Sequence, residues 1–335
     1  MSISRTRALT QWVADTTGLE PDAFTLAPAG GDASFRRYFR LTLPGGDTQI
    51  VMDAPPEQED STSFVAIGRR WRAAGLAVPA IHHADLDAGF LLLEDLGDTP
   101  LQALFQSSEH ARAQTRQALA LAASLQNAAD PSPLPRYDAP LLNRELALFP
   151  EWCLERYLGL ETPASFAPLC RDLVERALSQ PAVSVHRDFD AMNLMPHAGT
   201  LYMIDFQDAV AGPITYDPIS ILCGRYWRFD PATFDALAGE FHAQARRDGR
   251  LSAEVSEASF ITQCRAMAAQ RSLKVLGIFC RLTFRDEKTG YLERLPHFLD
   301  HLDDSLAALP EHAEFARWCR QTLRPAIVAK REASS

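Results

Sequence analysis

The chain has 335 residues, 47% of them hydrophobic, with 33 Lys and Arg against 43 Asp and Glu and a formal net charge of −10. That length and apolar content allow a sizeable core and one bilobal unit or two domains, while the acidity and the scatter of basic residues argue against a nucleic-acid surface. No apolar run reaches bilayer length and Met1-Ser2-Ile3-Ser4-Arg5-Thr6-Arg7 lacks the apolar centre of a secretory signal, so a cytoplasmic protein without a membrane anchor is expected.

Residues 5–16 place apolar side chains at helical period, and strands are predicted over 23–28, 35–43 and 48–53. Ser61 to Ala74 reads as a helix ended by Gly75 and followed by Val78-Pro79, and two further strands are expected from Ala80 to Ala84 and from Phe90 to Glu94. After Pro100 the composition shifts to Ala, Leu, Gln and Arg at helical spacing. Helices are predicted over 109–129, 142–158, 163–179, 231–247, 253–280, 290–308 and 311–327, and Asp130-Pro131-Ser132-Pro133-Leu134-Pro135 is an ordered loop within this half. Asp217 precedes Pro218 at a further helix start, the pattern of an N-cap followed by proline at the first helical position. The expectation is an α+β chain with a small β-rich lobe over residues 1–97 and a large helical lobe over 98–335. Six cysteines, Cys153, Cys170, Cys223, Cys264, Cys280 and Cys319, are far apart and form no Cys-x-x-Cys pair, which favours buried reduced thiols over a zinc site.

The most informative stretch is Val185-His186-Arg187-Asp188-Phe189-Asp190-Ala191-Met192-Asn193-Leu194, followed by Leu201-Tyr202-Met203-Ile204-Asp205-Phe206. A His-Arg-Asp tripeptide alone is more often a salt-bridged surface turn. Asn193 five residues after Asp188, apolar strands on both sides, and Asp205 at the next strand end change that balance toward phosphoryl transfer. In such chemistry the protein mostly positions groups and neutralises charge on phosphate oxygens. Asp188 is the candidate base that takes the proton of an attacking hydroxyl, and Asn193 and Asp205 offer the hard oxygen donors that suit Mg2+.

A β lobe followed by a helical lobe, with this loop early in the second, is the layout of protein-kinase-like phosphotransferases. The chain resembles the aminoglycoside phosphotransferase family over nearly its whole length. The resemblance rests on Gly30-Gly31-Asp32-Ala33-Ser34-Phe35-Arg36-Arg37-Tyr38-Phe39-Arg40, on Val51-Met52-Asp53-Ala54-Pro55-Pro56, on Glu94-Asp95-Leu96-Gly97 and on the loop above. It continues in Asp205-Phe206-Gln207-Asp208-Ala209-Val210-Ala211-Gly212-Pro213-Ile214-Thr215-Tyr216-Asp217 and in Arg271-Ser272-Leu273-Lys274-Val275-Leu276-Gly277-Ile278-Phe279, which narrow it to amino-sugar kinases. It implies ATP and Mg2+, phosphorylation of the C1 hydroxyl of N-acetylmuramate and N-acetylglucosamine to the α-1-phosphates, and a place in peptidoglycan recycling. It also implies a nucleotide site at Gly30, Gly31 and Ser34, main-chain adenine contacts at Leu93, Glu94 and Asp95, and structural roles for His186 and Asp217.

From the residues themselves, Gly30 and Gly31 allow a turn whose N–H groups approach a phosphate, or a plain hairpin. Leu92 to Gly97 equally suits a buried strand leading into a cap. One expected part is missing: kinase-like folds carry a first-lobe lysine paired with a glutamate on the next helix. This chain has three lysines, Lys274, Lys288 and Lys330, and the corresponding strand reads Ile50-Val51-Met52-Asp53. No acid occurs between Ser61 and Ala74. Either catalysis is degraded in a nucleotide-binding regulator, or Arg36 or Arg37 replaces the lysine, with strand alternation letting at most one of the two face a cleft.

For the acceptor, Asp208, Arg225 and Lys274 are candidate sugar contacts, each also explicable as a helix-face charge. Asp190 is assigned to solvent. Kinases of another small hydroxyl compound, such as an aminoglycoside, homoserine or choline, stay open as an alternative, and nothing in the sequence signals an interface, so a monomer is expected.

Overall fold

Strand-forming residues dominate the first hundred positions and helix formers the remainder, and the computed structural model, which describes residues 3–31 and 35–333, follows that division. By contact the chain forms two units, Met1–Ala103 with Met192–Asp208, and Leu104–Ala191 with Ala209–Ser335. The first break falls at 103/104 where composition alone suggests 97/98, and a short later segment joins the first unit.

In the first unit helix α1 (Ile3–Thr17) precedes strands β1 (Thr25–Gly31), β2 (Arg37–Thr42) and β3 (Thr48–Asp53). Helix α2 (Thr62–Ala73) and strands β4 (Ile81–Asp85) and β5 (Phe90–Glu94) follow. The strands form one antiparallel sheet in the order β1-β2-β3-β5-β4. Leu9, Val13 and Ala14 of α1 cover one sheet face at Leu41, Val51, Phe90 and Leu92, the burial of alternate strand residues that the pleat demands. Gly89, at φ +72°, closes the turn before β5 where an added Cβ would lie 2.0 Å from the Ala54 carbonyl oxygen.

The second unit begins with α3 (Ser108–Ala128), α4 (Ala139–Leu148), α5 (Phe166–Leu178) and β6 (Ala182–Val185). The ribbon β7 (Leu194–His197) and β8 (Thr200–Met203) belongs by contact to the first unit, where the Met203 N–H donates to the Ala77 carbonyl at 2.9 Å. Back in the second unit β9 (Val210–Pro213) pairs antiparallel with β6, and the chain ends in helices α6 (Tyr216–Leu222), α7 (Pro231–Arg247), α8 (Glu257–Phe284), α9 (Leu295–Ala307), α10 (Ala313–Trp318) and α11 (Arg324–Glu332). Ser107, Asp138, Asp230 and Ser256 each cap a helix by accepting a main-chain N–H three residues on.

Two helices predicted as single pieces are interrupted. The 142–158 helix is α4 continued by a π-helical stretch, Phe149–Leu158, and the 311–327 helix contains another, Cys319–Leu323. Pro150 and Pro325 sit at these junctions; a proline lacks the N–H and crowds the preceding carbonyl, and a wider turn relieves both. The six cysteines are free thiols, five of them buried and Cys170 half-buried. No helix among the described residues is long and apolar enough to cross a membrane.

Near the first of these junctions α8 packs closely against the end of α4. A Cβ on Gly277 would lie 2.4 Å from both the carbonyl carbon and oxygen of Leu148, backbone that cannot swing aside. Gly277→Ala is expected to cost about 1–3 kcal/mol, read as a lower urea midpoint at unchanged m value.

Candidate functional site

In the second unit Asp217, completely buried near the start of α6, accepts main-chain N–H groups from two successive residues: His186 at 2.7 Å and Arg187 at 3.0 Å. Arg187 holds φ +76°, a left-handed conformation that side-chain-bearing residues adopt only under compulsion. The turn leaves Asp188 exposed while Phe189 and His186 are buried. Burial pushes the Asp217 carboxyl up to about 7, against the two N–H donors that favour its ionised form. The N-cap reading of Asp217 is corrected, since Thr215 occupies the cap position, whereas the bracing of the loop after β6 that the resemblance implies is seen in these two hydrogen bonds.

Beneath this loop is a buried polar cluster. Glu145 of α4, 4% exposed, accepts from Lys274 Nζ at 2.8 Å, from Arg187 Nη2 at 3.0 Å, from Gln270 Nε2 at 3.2 Å and from the Tyr137 hydroxyl. Lys274 also donates to the Tyr216 hydroxyl at 2.9 Å. Burial by itself would raise the Glu145 carboxyl, but the Lys274 ammonium, the Tyr137 hydroxyl and Arg187 outweigh it and hold it at about 2. Lys274, a candidate sugar contact, is therefore committed to Glu145. Arg225, another, is 3.2 Å through Nε from Asp190 Oδ2. Asp190 is 8% exposed, so its assignment to solvent is overturned: the Arg225 guanidinium compensates its burial.

The first unit holds Asn193 and Asp205 at one end of the β7–β8 ribbon, where the Ile204 N–H donates to the Asn193 carbonyl at 3.0 Å. Asp205 has φ +62°. Its neighbour Phe206 is fully buried, stacked on Phe64 of α2 at 4.8 Å between ring centroids and tilted against Trp71 at 5.6 Å. An added Cβ on Gly68 of α2 would lie 3.1 Å from the Phe206 ring, so the absence of a side chain there admits it. Gln207 Nε2 donates to Asp205 Oδ1 at 2.8 Å and orients the carboxylate, which is 30% exposed. A carboxylate and an amide oxygen, both on half-buried residues, are hard donors whose chemistry fits Mg2+.

The arginines that follow the glycine turn are separated. Arg37 pairs across the sheet with Asp53, which ends β3, the strand that lacks the expected lysine, and is 1% exposed. Arg5 of α1 joins the same carboxylate, Nε to Oδ1 at 2.9 Å. Arg36, 6% exposed at its side chain, lies with Nη1 3.6 Å from Asp205 Oδ1 and Nη2 3.6 Å from Glu59 Oε2.

Other candidate residues have the following placements. Gly30 is exposed at φ +69° at the end of β1, Gly31 closes that strand, and Ser34 lies outside the described residues. Leu93 is buried; the Glu94 N–H donates to the Ala80 carbonyl, and its carboxylate accepts from the Ala80 N–H at 2.9 Å. Asp95 accepts from Arg40 and from the Gly97 N–H, which lower its carboxyl despite partial burial. Asp208 is exposed. Sequence reading passed over Glu145, Glu59 and Gln207. Glu145 had one visible signal, its position beside Leu142 and Leu146 on the apolar stripe of α4.

Residues 25–255 match the phosphotransferase enzyme family. The chain is 40% identical over 309 residues, 90% of each chain, to the N-acetylmuramate/N-acetylglucosamine kinase of Pseudomonas aeruginosa. It is 38% identical over 299 residues to the protein of the same name from Pseudomonas putida, covering 88% of this chain and 87% of the other. Among solved structures, choline kinase from Cryptosporidium parvum superposes with a TM-score of 0.60 at 11% identity, covering 91% of this chain and 97% of its own. That likeness is one of fold, the protein-kinase-like α+β fold expected from the sequence.

Because Glu145 is ionised in the folded state down to about 2 and titrates near 4.5 when unperturbed, it contributes stability above pH 4.5 that is lost as pH falls through that window. Glu145→Gln, which strands buried Lys274 and Arg187, is expected to cost about 3–5 kcal/mol at pH 7 and to flatten the pH dependence of unfolding free energy below pH 4.5, measured by urea titration at each pH.

Proposed function

We propose that this chain, which belongs to the phosphotransferase enzyme family, transfers the γ-phosphoryl group of ATP to the C1 hydroxyl of a free amino sugar, N-acetylmuramate or N-acetylglucosamine. The observation that carries the substrate class is the likeness, at 40% identity over 90% of both chains, to a relative that bears that name. The residue types and their spacing from Asp188 to Asp205 support the reaction type independently of it.

In this reading Asp188 accepts a hydrogen bond from the C1 hydroxyl and takes its proton as the oxygen–phosphorus bond forms. An anomeric hydroxyl is more acidic than an ordinary alcohol, which suits a carboxylate of modest basicity. Asp217 acts through the main chain, holding His186 and Arg187 so that Asp188 is offered to solvent rather than folded into the core. Asn193 and Asp205 would hold Mg2+, which when bound neutralises charge on the phosphate oxygens. Phe206, locked against α2, keeps the Asp205 backbone in its left-handed position, and Gln207 fixes the carboxylate's rotation. Leu93 to Asp95, with Gly30 and Gly31, form the proposed nucleotide-contacting main chain. The product, a sugar α-1-phosphate, suits a nucleotidyl-transfer step toward a UDP-sugar and so a place in peptidoglycan recycling.

The test is ADP release from ATP and magnesium with N-acetylmuramate, N-acetylglucosamine, kanamycin or choline, run beside an assay of reducing ends. Reducing-end loss matched to ADP release with either amino sugar is expected. ADP release with kanamycin or choline alone would establish the alternative acceptor class, and nucleotide binding without turnover would establish a regulator. Asp188→Asn is expected to lower kcat by about 10²–10⁴-fold with little change in the KM for ATP.

A further inference from the structure

The first unit contains no lysine, so β3, the strand on which a kinase-like fold carries one, has none. Something else must meet the nucleotide's phosphates if the proposed reaction is right. Sequence alone leaves Arg36 and Arg37 as equals; the structure separates them by what each touches.

Arg37 lies opposite Asp53 in the β2–β3 register and is bound to its carboxylate, which a second guanidinium, that of Arg5, also grips. Arg5 lies in turn over the Phe90 ring at 4.6 Å and donates to the Ala88 carbonyl at 2.9 Å. These contacts tie α1, β2, β3 and the β5 turn together around a carboxylate that is 1% exposed. Drawing Arg37 away toward a ligand would remove one of two counter-charges from a buried anion, a costly change.

Arg36 is differently engaged. Its guanidinium lies between Glu59 and Asp205 at 3.6 Å from each, near enough for charge attraction and longer than a direct hydrogen bond. Glu59 also accepts the Phe35 N–H at 3.2 Å, so one carboxylate steadies both the main chain entering Arg36 and the side chain itself. Asp205 is the proposed magnesium ligand. A phosphate oxygen sharing a magnesium ion with that carboxylate would lie about 2 Å from the ion, which brings it within the reach of a guanidinium already beside Asp205. The three side chains together carry one net negative charge, which favours a divalent cation; the cation's charge reverses the sign, which favours a polyphosphate.

We propose that Arg36 is the cation that binds the nucleotide's phosphates, with Glu59 as the carboxylate that positions it, so that an Arg–Glu pair from the β1–β2 turn and the approach to α2 replaces the missing Lys–Glu pair. Arg37, with Asp53 and Arg5, is a structural tie. The assignment rests on the phosphotransferase reading but not on the identity of the acceptor.

The experiment is calorimetric titration of ADP and ATP into the full chain and into Arg36→Ala, Arg36→Lys, Arg37→Ala and Glu59→Gln, each in EDTA and again in magnesium, with thermal melting of every variant. Loss of one charge-assisted phosphate contact corresponds to about 10-fold or more in affinity. Arg36→Ala is expected to lose that much in EDTA as well as in magnesium while still melting as a folded protein above the titration temperature, and Arg36→Lys to recover part of it. Glu59→Gln should raise the KM for ATP more than it lowers kcat. Arg37→Ala should melt earlier yet bind nucleotide within about threefold of the parent. Unchanged affinity in Arg36→Ala, or a loss confined to Arg37→Ala, overturns the assignment. Binding that depends on Arg36 in a chain that phosphorylates no amino sugar would overturn the sugar-kinase reading and leave this inference standing.

Discussion

A buried carboxylate that accepts two consecutive main-chain N–H groups decides how this chain presents its acidic loop. Asp217 satisfies His186 and Arg187 at the point where β6 ends, and those two bonds hold Arg187 in a left-handed conformation it would otherwise leave. From that constraint the directions of the next residues follow: Asp188 turns outward, while Phe189 and Asp190 turn in. The Arg187 side chain then runs inward to Glu145, so one strained residue links the loop to a charge cluster on α4 and α8.

Each unit solves the same electrostatic problem. Asp53 in the first and Glu145 in the second are nearly inaccessible carboxylates, and each is held by two cationic side chains drawn from distant parts of the sequence. Such clusters contribute little net stability compared with an apolar core, yet removing one member is expensive because the others are left without compensation. They fix the relative placement of α1, β2 and β3 in one unit and of α4, α8 and the loop after β6 in the other. Asp205 depends on a different device. Phe206 is clamped by aromatic stacking on α2, and Gly68 supplies the room.

Much of the fold was legible because local rules and tertiary packing agree. The helix predicted over 231–247 is α7 with the same bounds and that over 109–129 is α3 within one residue, and the structure shows them capped by Asp230 and Ser107. Strands β3 and β5 stand out by their apolar character and β-branched or leucine-rich content. Prediction fell short at Pro150 and Pro325, where the helical period continues in the side chains but the hydrogen-bonding pattern widens. The candidate loop could be singled out because its motif spacing, from Asp188 to Asn193, is short-range. The site was obscured where a charge is buried by remote partners: Asp190 and Lys274 look like surface residues until Arg225 and Glu145 are brought beside them.

The sequence by itself determined the β-rich start, the helical remainder and the places of most helices, since caps, prolines and the periods of strand and helix act over a few positions. Only the tertiary structure decided which carboxylate each buried cation meets. Arg36 and Arg37 are neighbours of one residue type with the same local signal; Arg37, the first residue of β2, meets Asp53 on the next strand, and Arg36, just before it, meets Glu59 and Asp205. Electrostatic partners are chosen by proximity in space, and proximity between residues dozens of positions apart is a property that no local pattern encodes.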